Sequence, residues 1–151
     1  MKTVSISRGD LDRLQRPNRE VSSFIESRVV SAYDGFTSSF TDSADFDIQG
    51  KGDTVGEVKH ALTRHTREDG TEGGKGRFRI FKSQHDALTR YDRRENAYYV
   101  FVLIDPDDMV LYMSRQKPAT VGNIIGSRGG FYSASHNAGP DHKLPWEVFF
   151  G

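Results

Sequence analysis

One segment of the chain, DFDIQGKGDTVGEVK at residues 45–59, gathers side chains that could act together on a phosphate. Its carboxylates are the hard oxygen ligands that Mg²⁺ and Mn²⁺ prefer. A divalent cation held by carboxylates activates water as a nucleophile, and a nearby lysine stabilises negative charge that develops on phosphate oxygens. Asp45, Asp47, Glu57 and Lys59 therefore point to metal-assisted hydrolysis of a phosphodiester.

The same segment predicts a β-hairpin, because two short strand-like runs flank the turn signal GKGD. A three-residue turn over 51–53 fixes which residues lie opposite each other, and side chains alternate between the two faces of each strand. One face then becomes apolar, with Phe46, Ile48 and Val58, and the other becomes charged, with Asp45, Asp47, Glu57 and Lys59. The expected opposite pairs are Ile48 with Gly56, Phe46 with Val58, Asp47 with Glu57, and Asp45 with Lys59.

The charged face of this hairpin needs a partner. Two carboxylates directly opposite each other repel, which destabilises a purely structural hairpin. A divalent cation would relieve that repulsion, so we predict Asp47 and Glu57 as metal ligands and Lys59 as a base or charge stabiliser. Asp45 lies on the same face and is the alternative ligand. The competing interpretation is a solvated hairpin whose acids pair with Lys51 and Lys59.

Hydrophobic periodicity predicts the elements around the hairpin. Val21, Ile25 and Val29 recur with helical spacing within 17–33, and Asn18 is placed to cap that helix. Residues 34–44 indicate a loop or an irregular edge strand.

The second half of the chain predicts a second helix and a buried strand. Residues 82–96 are helix-like, and the apolar run 97–105 is typical of a central strand buried on both faces, with 109–115 as its hairpin partner. The glycines of 61–78 indicate a mobile loop, and 126–150 indicates a loop-rich tail that ends in a strand. The order of elements predicts an α/β domain with a mixed central β-sheet flanked by helices.

Composition limits the classes of protein that remain. At 151 residues the chain predicts one domain over 1–151. It has no cysteine, which excludes disulfides and thiolate zinc sites, and it lacks both a signal-like N-terminus and a run long enough to span a bilayer, so we expect a cytoplasmic protein. Lys+Arg and Asp+Glu are equal at 21 each, but residues 60–95 hold nine basic and six acidic side chains, a local charge of +3. This basic region favours contact with phosphates.

The pattern of Asp47-Ile48, a turn, and then Glu57-Val58-Lys59 resembles the PD-(D/E)xK nuclease superfamily, and the small size is similar to its archaeal Holliday junction resolvases. The resemblance covers roughly 18–104 and differs in having Phe46 where the pattern has a proline. It implies a restriction-endonuclease-like fold and a Mg²⁺- or Mn²⁺-dependent endonuclease. It further implies a homodimer that cuts DNA, with four-way junctions as the substrate.

The resemblance also implies residues outside the hairpin. Such families carry an auxiliary glutamate on the leading helix, where Glu20 is the better match and Glu26 the second. Some place a glutamine at the start of the helix after the Glu-x-Lys strand, a position that Gln84 occupies. Two rival functions stay open: a restriction or repair endonuclease acting on duplex DNA, and a non-catalytic nucleic-acid-binding module of the same fold.

Overall fold

The structure, a computed structural model, describes residues 1–15, 20–39, 46–66, 69–133 and 139–151, without the side chains of Glu20, Ser39, His65, Thr66 and Glu72. Its strands are β1 (Lys2–Ser5), β2 (Phe36–Ser39), β3 (Ile48–Gly50), β4 (Thr54–Leu62), β5 (Arg64–Thr66), β6 (Glu72–Lys75), β7 (Arg77–Phe81), β8 (Asn96–Asp105), β9 (Val110–Gln116) and β10 (Asp141–Pro145). Its helices are α1 (Arg8–Leu14), α2 (Glu20–Ala32), α3 (Lys82–Asp92), α4 (Pro118–Ser127) and α5 (Glu147–Phe150).

A mixed six-stranded sheet forms the centre of the fold, with the strand order β1-β9-β8-β4-β3-β2. Strands β4 and β8 run parallel, in register from Thr54 opposite Asn96 to Leu62 opposite Ile104. The other neighbours in this sheet pair antiparallel. Helices lie against both faces, which confirms the predicted α/β architecture with a mixed, restriction-endonuclease-like sheet.

Strand β8 is the apolar run that the sequence assigns to the middle of the sheet. Val100 and Val102 contribute to a core shared with α1 and α2, whereas Tyr99 and Phe101 contribute to a core shared with α3 and α4. All four side chains are fully buried. A strand that is buried on both faces has no solvent-exposed side. Its sequence is therefore continuously apolar rather than alternating between apolar and polar residues.

Helix α2 covers one face of the sheet through the predicted apolar stripe. Val21, Ile25 and Val29 are buried in the same core as Ile48 of β3 and Val58 of β4. These three positions are four residues apart, so they lie one above another on a single helical face. The predicted cap residue Asn18 lies outside the described residues.

The β3–β4 hairpin has the predicted register, with Ile48 opposite Gly56. Its turn over Lys51–Asp53 places Gly52 at φ 61°, a left-handed conformation that glycine adopts without steric penalty. The predicted grouping of Phe46 with Ile48 and Val58 is wrong. Strand β3 begins only at Ile48, so Phe46 does not follow the strand alternation and packs instead against Tyr91 in the opposite core.

The chain between β4 and α3 forms strands where the sequence indicates a mobile loop. Strands β5 and β6 pair antiparallel. Strand β7 then pairs with β10 in a separate two-stranded sheet, with Phe78 opposite Leu144. The β7–β10 pairing joins residues that are distant in sequence, which local periodicity does not reveal.

The second half of the chain contains a helix that the sequence analysis does not identify. Helix α4 starts with Pro118, a residue favoured in a first helical turn, and buries Val121 and Ile125 against α3 and β8. Among the described residues, no helix combines the length and apolar character needed to cross a membrane.

Candidate active site

A cavity of about 350 Å³ lies where α2, the β3–β4 hairpin and β7 meet. Its wall carries three carboxyl groups, those of Glu26, Asp47 and Glu57, together with the ammonium group of Lys59. We name it the acidic cavity. The structure therefore brings together three of the four residues predicted on the charged face of the hairpin, Asp47, Glu57 and Lys59.

Asp47 is held by the strand next to it. Its backbone N–H donates to the carbonyl oxygen of Gly56 at 3.1 Å, and its Oδ2 accepts a hydrogen bond from the backbone N–H of Val58 at 2.8 Å. Because both partners belong to β4, Asp47 is fixed relative to Glu57 on that strand. One of the two carboxylate oxygens of Asp47, Oδ2, therefore already has a hydrogen-bond donor within the protein.

Glu57 is an unusually buried acid, with only 5% of its surface exposed. Burial is the largest cause that raises the pKa of Glu57, to about 7, and the negative charge of Asp47 raises it further. Lys59 opposes both effects, with Nζ 3.4 Å from Glu57 Oε1. A positive charge placed beside these two acids would relieve the repulsion that Asp47 exerts on Glu57.

Lys59 shares a face of β4 with Glu57 because the two residues are two positions apart on the strand. Its Nζ donates to Gln84 Oε1 at 2.8 Å and lies 6.0 Å from the centre of the Phe81 ring. Gln84 stands in the first turn of α3, immediately after β7. The glutamine that the resemblance suggests is therefore in contact with the lysine.

Of the two α2 glutamates that the resemblance suggests as auxiliary residues, Glu26 lines the acidic cavity. Burial raises its pKa to about 7, and the charge of Asp47 raises it further, which places Glu26 in electrostatic contact with the hairpin acids. Glu20, the first choice from the sequence, begins α2, but its side chain lies outside the description and its role stays a prediction. Asp45, the alternative ligand, also lies outside the described residues.

Basic side chains approach the cavity from β7. Arg77 and Arg79 line it, whereas Phe78 and Ile80, which alternate with them along the strand, are fully buried. Arg79 also donates from Nε to Asp141 Oδ2 at 2.7 Å, which links β7 to β10. The alternation of basic and apolar residues was the available signal for this strand, but its position beside the hairpin depends on the tertiary fold.

The donor set fits a hard divalent cation. Over the described parts of the chain, no group of three or more His, Cys, Asp or Glu side chains is arranged to hold a metal ion. Mg²⁺ commonly uses only one or two carboxylates and completes its shell with water and substrate phosphate. Asp47 and Glu57 match that requirement, with mutual repulsion that a cation would relieve.

Comparison with known proteins agrees with this geometry. A model of the PD-(D/E)XK nuclease superfamily domain matches residues 12–151, well beyond the range 18–104 that the motif resemblance covers. A comparison with curated proteins gives no match. The family match spans α2, the β3–β4 hairpin, α3 and the strands that support them, so the chain belongs to the PD-(D/E)XK nuclease superfamily.

Proposed function

We propose that residues 1–151 form one nuclease domain that hydrolyses phosphodiester bonds in DNA with the help of Mg²⁺ or Mn²⁺. The observation that carries this proposal is the convergence of Asp47, Glu57 and Lys59 on one cavity, with Lys59 held by Gln84. A structural hairpin has no need to bury an acid such as Glu57 opposite a second acid. A non-catalytic module of the same fold would not need this arrangement either.

Each side chain has a distinct role in the proposed reaction. Asp47 and Glu57 would hold the divalent cation, which when bound neutralises phosphate charge and lowers the pKa of water. Asp47 is already oriented by the Val58 N–H, so little rearrangement is needed. Glu26, across the cavity on α2, would orient water at the same site.

Lys59 acts on the substrate rather than on the metal, because an ammonium group donates hydrogen bonds and has no acceptor. One N–H of Lys59 is directed to Gln84 and the ammonium group also lies beside Glu57, which leaves one N–H for the attacking water or a phosphate oxygen. Water loses a proton as it adds to phosphorus, the bond from phosphorus to one sugar oxygen breaks, and the departing sugar oxygen takes up a proton from solvent. Lys59 would stabilise the charge that builds on the phosphate oxygens during that exchange.

The finer proposal is a resolvase-like enzyme of the cytoplasm that acts on branched DNA. It is supported by the motif resemblance and by the small size of the domain. Symmetric cutting of two strands of a four-way junction would require a two-fold homodimer. A restriction or repair endonuclease acting on duplex DNA is the alternative within the same chemistry.

A cleavage panel tests both levels of the proposal. The wild-type protein would be incubated with duplex, single-stranded and four-way-junction DNA in Mg²⁺, in Mn²⁺ and in EDTA, with Asp47→Asn/Glu57→Gln as the inactive control. We expect metal-dependent cleavage by the wild type alone, and paired symmetric cuts on the junction. If plain duplex were cleaved as fast as the junction, the proposed substrate would be duplex DNA rather than four-way junctions. Absence of any cleavage would overturn the nuclease proposal.

A further inference from the structure

A second cavity, of about 430 Å³, lies toward the C-terminal end of α3, the end opposite Gln84. Arginines dominate its lining, and two aromatic rings complete it. We name it the arginine cavity. It is lined by Phe46, Ala87, Arg90, Tyr91, Arg93 and Arg94.

The three arginines are available to a ligand. Arg90, Arg93 and Arg94 are all exposed, and among the described residues none of them forms an ion pair with a carboxylate. Asp92, which lies between them in sequence, instead binds Lys117 and accepts a hydrogen bond from the backbone N–H of Ala97. One arginine near a helix C-terminus is explained by the helix dipole. Three arginines around one concave surface require a further explanation.

The aromatic side of the cavity is rigid. The rings of Phe46 and Tyr91 meet edge to face, with centroids 5.2 Å apart. The Tyr91 hydroxyl donates to the carbonyl oxygen of Asp53 at 2.6 Å, which ties α3 to the hairpin turn. Fixed aromatic surface beside guanidinium groups suits nucleic acid, because bases stack on rings while arginines bind phosphates.

Neighbouring residues of the chain connect the arginine cavity to the acidic cavity. Phe46 lines the first and its neighbour Asp47 lines the second. Helix α3 connects them as well, since Gln84 contacts Lys59 at one end and Tyr91 lines the arginine cavity at the other. Tyr91 follows Gln84 by seven residues in α3, which corresponds to about 10 Å along the helix axis. This length equals about three nucleotides at the axial spacing of one strand of duplex DNA.

We propose that the arginine cavity is a second DNA subsite, which binds the backbone of the cleaved strand about three nucleotides from the cut. This inference rests on the proposed nuclease function and extends it by naming where the substrate is held. Arginine forks would bind phosphate oxygens there and fix the register of the strand. The scissile phosphate would then lie beside Asp47, Glu57 and Lys59.

Binding measurements on a charge-matched pair of variants test this subsite. Arg90→Gln/Arg94→Gln removes two charges from the cavity, and Arg8→Gln/Arg13→Gln removes two from α1, which lines neither cavity. Affinity for labelled DNA would be measured by fluorescence anisotropy in EDTA over a range of salt concentrations. We expect the cavity variant to bind DNA about tenfold more weakly. The slope of log affinity against log salt concentration should also be smaller in magnitude by about two.

The α1 variant should change affinity by less than about threefold. Equal effects of the two variants would overturn the subsite, because they would show only the loss of general positive charge. Thermal unfolding of both variants would be followed by circular dichroism to establish that each is folded. Arg90→Lys/Arg94→Lys keeps the charge but not the fork, so it should restore the salt slope and only part of the affinity.

A chemically modified substrate tests the position of the contact. Neutral methylphosphonate linkages would be placed singly at each of five positions on both sides of the cleavage site. We expect one position about three nucleotides from the cut to weaken wild-type binding without affecting the Arg90→Gln/Arg94→Gln variant. Equal sensitivity of both proteins at every position would contradict the proposal.

The nuclease function and the arginine subsite can be overturned separately. A wild-type protein that neither cleaves nor binds any DNA overturns the nuclease function and this subsite together. A wild-type protein that cleaves DNA, combined with a cavity variant that behaves like the α1 variant, overturns the subsite and leaves the nuclease function intact.

Discussion

Lys59 Nζ is 2.8 Å from Gln84 Oε1, a hydrogen bond that connects β4 to the first turn of α3. The same ammonium group lies 3.4 Å from Glu57 Oε1. The lysine is thus held between a neutral acceptor and an acid, and its side chain is only 14% exposed. Such restraint pre-positions a charge where solvent is largely excluded, which is where electrostatic stabilisation of a transition state is strongest.

Gln84→Ala should lower the single-turnover cleavage rate about tenfold, the lower range for loss of a group that orients a catalytic residue. Lys59 would remain present but would lose its fixed direction. Gln84→Glu should retain the acceptor and recover part of the rate. An unchanged rate in Gln84→Ala would show that Lys59 is positioned without the hydrogen bond.

Lys59→Ala should lower turnover by about a hundredfold or more, the scale observed when one preorganised donor is removed. Its affinity for Mg²⁺ should stay close to wild type, because lysine is not a metal ligand. Single-turnover kinetics and calorimetric titration of the same variant measure the two effects. A small loss of stability with normal cleavage would identify Lys59 as a structural ion-pair partner only.

Glu57→Gln should abolish cleavage while DNA binding is retained or strengthened. The substitution removes a metal ligand and also removes a negative charge that repels the substrate backbone. Cleavage assays in Mg²⁺ and anisotropy in EDTA measure the two properties. Near wild-type cleavage by this variant would exclude Glu57 from the metal site.

Metal-free protein should lose stability as the pH rises from about 4.5 to about 7. The pKa of Glu57 is raised from 4.5 to about 7 by burial and by Asp47, so the folded state keeps a proton that the unfolded chain has released. Glu26 acts in the same direction. The stabilising contribution is therefore complete below about 4.5 and is lost as the pH rises through about 7.

Melting temperatures in EDTA across this range measure the effect, with Glu57→Gln as the control because its amide does not titrate. The difference in stability between wild type and this variant should change with pH over the same interval. Mg²⁺ should raise the melting temperature of the wild type at pH 8 and leave Asp47→Asn/Glu57→Gln unchanged. A difference that is constant with pH would contradict the raised pKa of Glu57.

Glu26→Gln should reduce cleavage more than Glu20→Gln does. Glu26 lines the acidic cavity and its pKa responds to Asp47, whereas the sequence alone favours Glu20. Parallel rate measurements on the two variants decide between them. A larger effect of Glu20→Gln would restore the original assignment.

The placement of the candidate site residues was largely predictable, because the hairpin that carries Asp47, Glu57 and Lys59 is local in sequence. The turn at 51–53 sets the register of Ile48 with Gly56, and strand alternation then places Glu57 and Lys59 on one face. These are short-range rules that a sequence carries directly. The choice between Glu20 and Glu26 was less predictable, because it depends on how α2 is rotated against the sheet.

The parts that were missed depend on contacts between distant residues. Strand β1 is short, and its position is fixed by antiparallel pairing with β9, a strand distant in sequence, in which Met113 lies opposite Lys2. Helix α4 contains Gly122 and Gly126, which weaken its helical signal, and it is stabilised by burying Val121 and Ile125. Phe46 was assigned to the wrong core because β3 starts two residues later than the alternation assumed.

The parallel pairing of β4 with β8 also has a consequence for the order of events during translation. The hairpin that carries Asp47 and Glu57 can form as soon as residue 62 leaves the ribosome, but one edge of β4 stays unpaired until residues 96–105 follow. Parallel pairing across such a separation is slow to form. We therefore expect Asp47 and Glu57 of a nascent chain to lie beside an unpaired edge of β4. The candidate site for phosphodiester hydrolysis would be complete only after residues 96–105 have been synthesised.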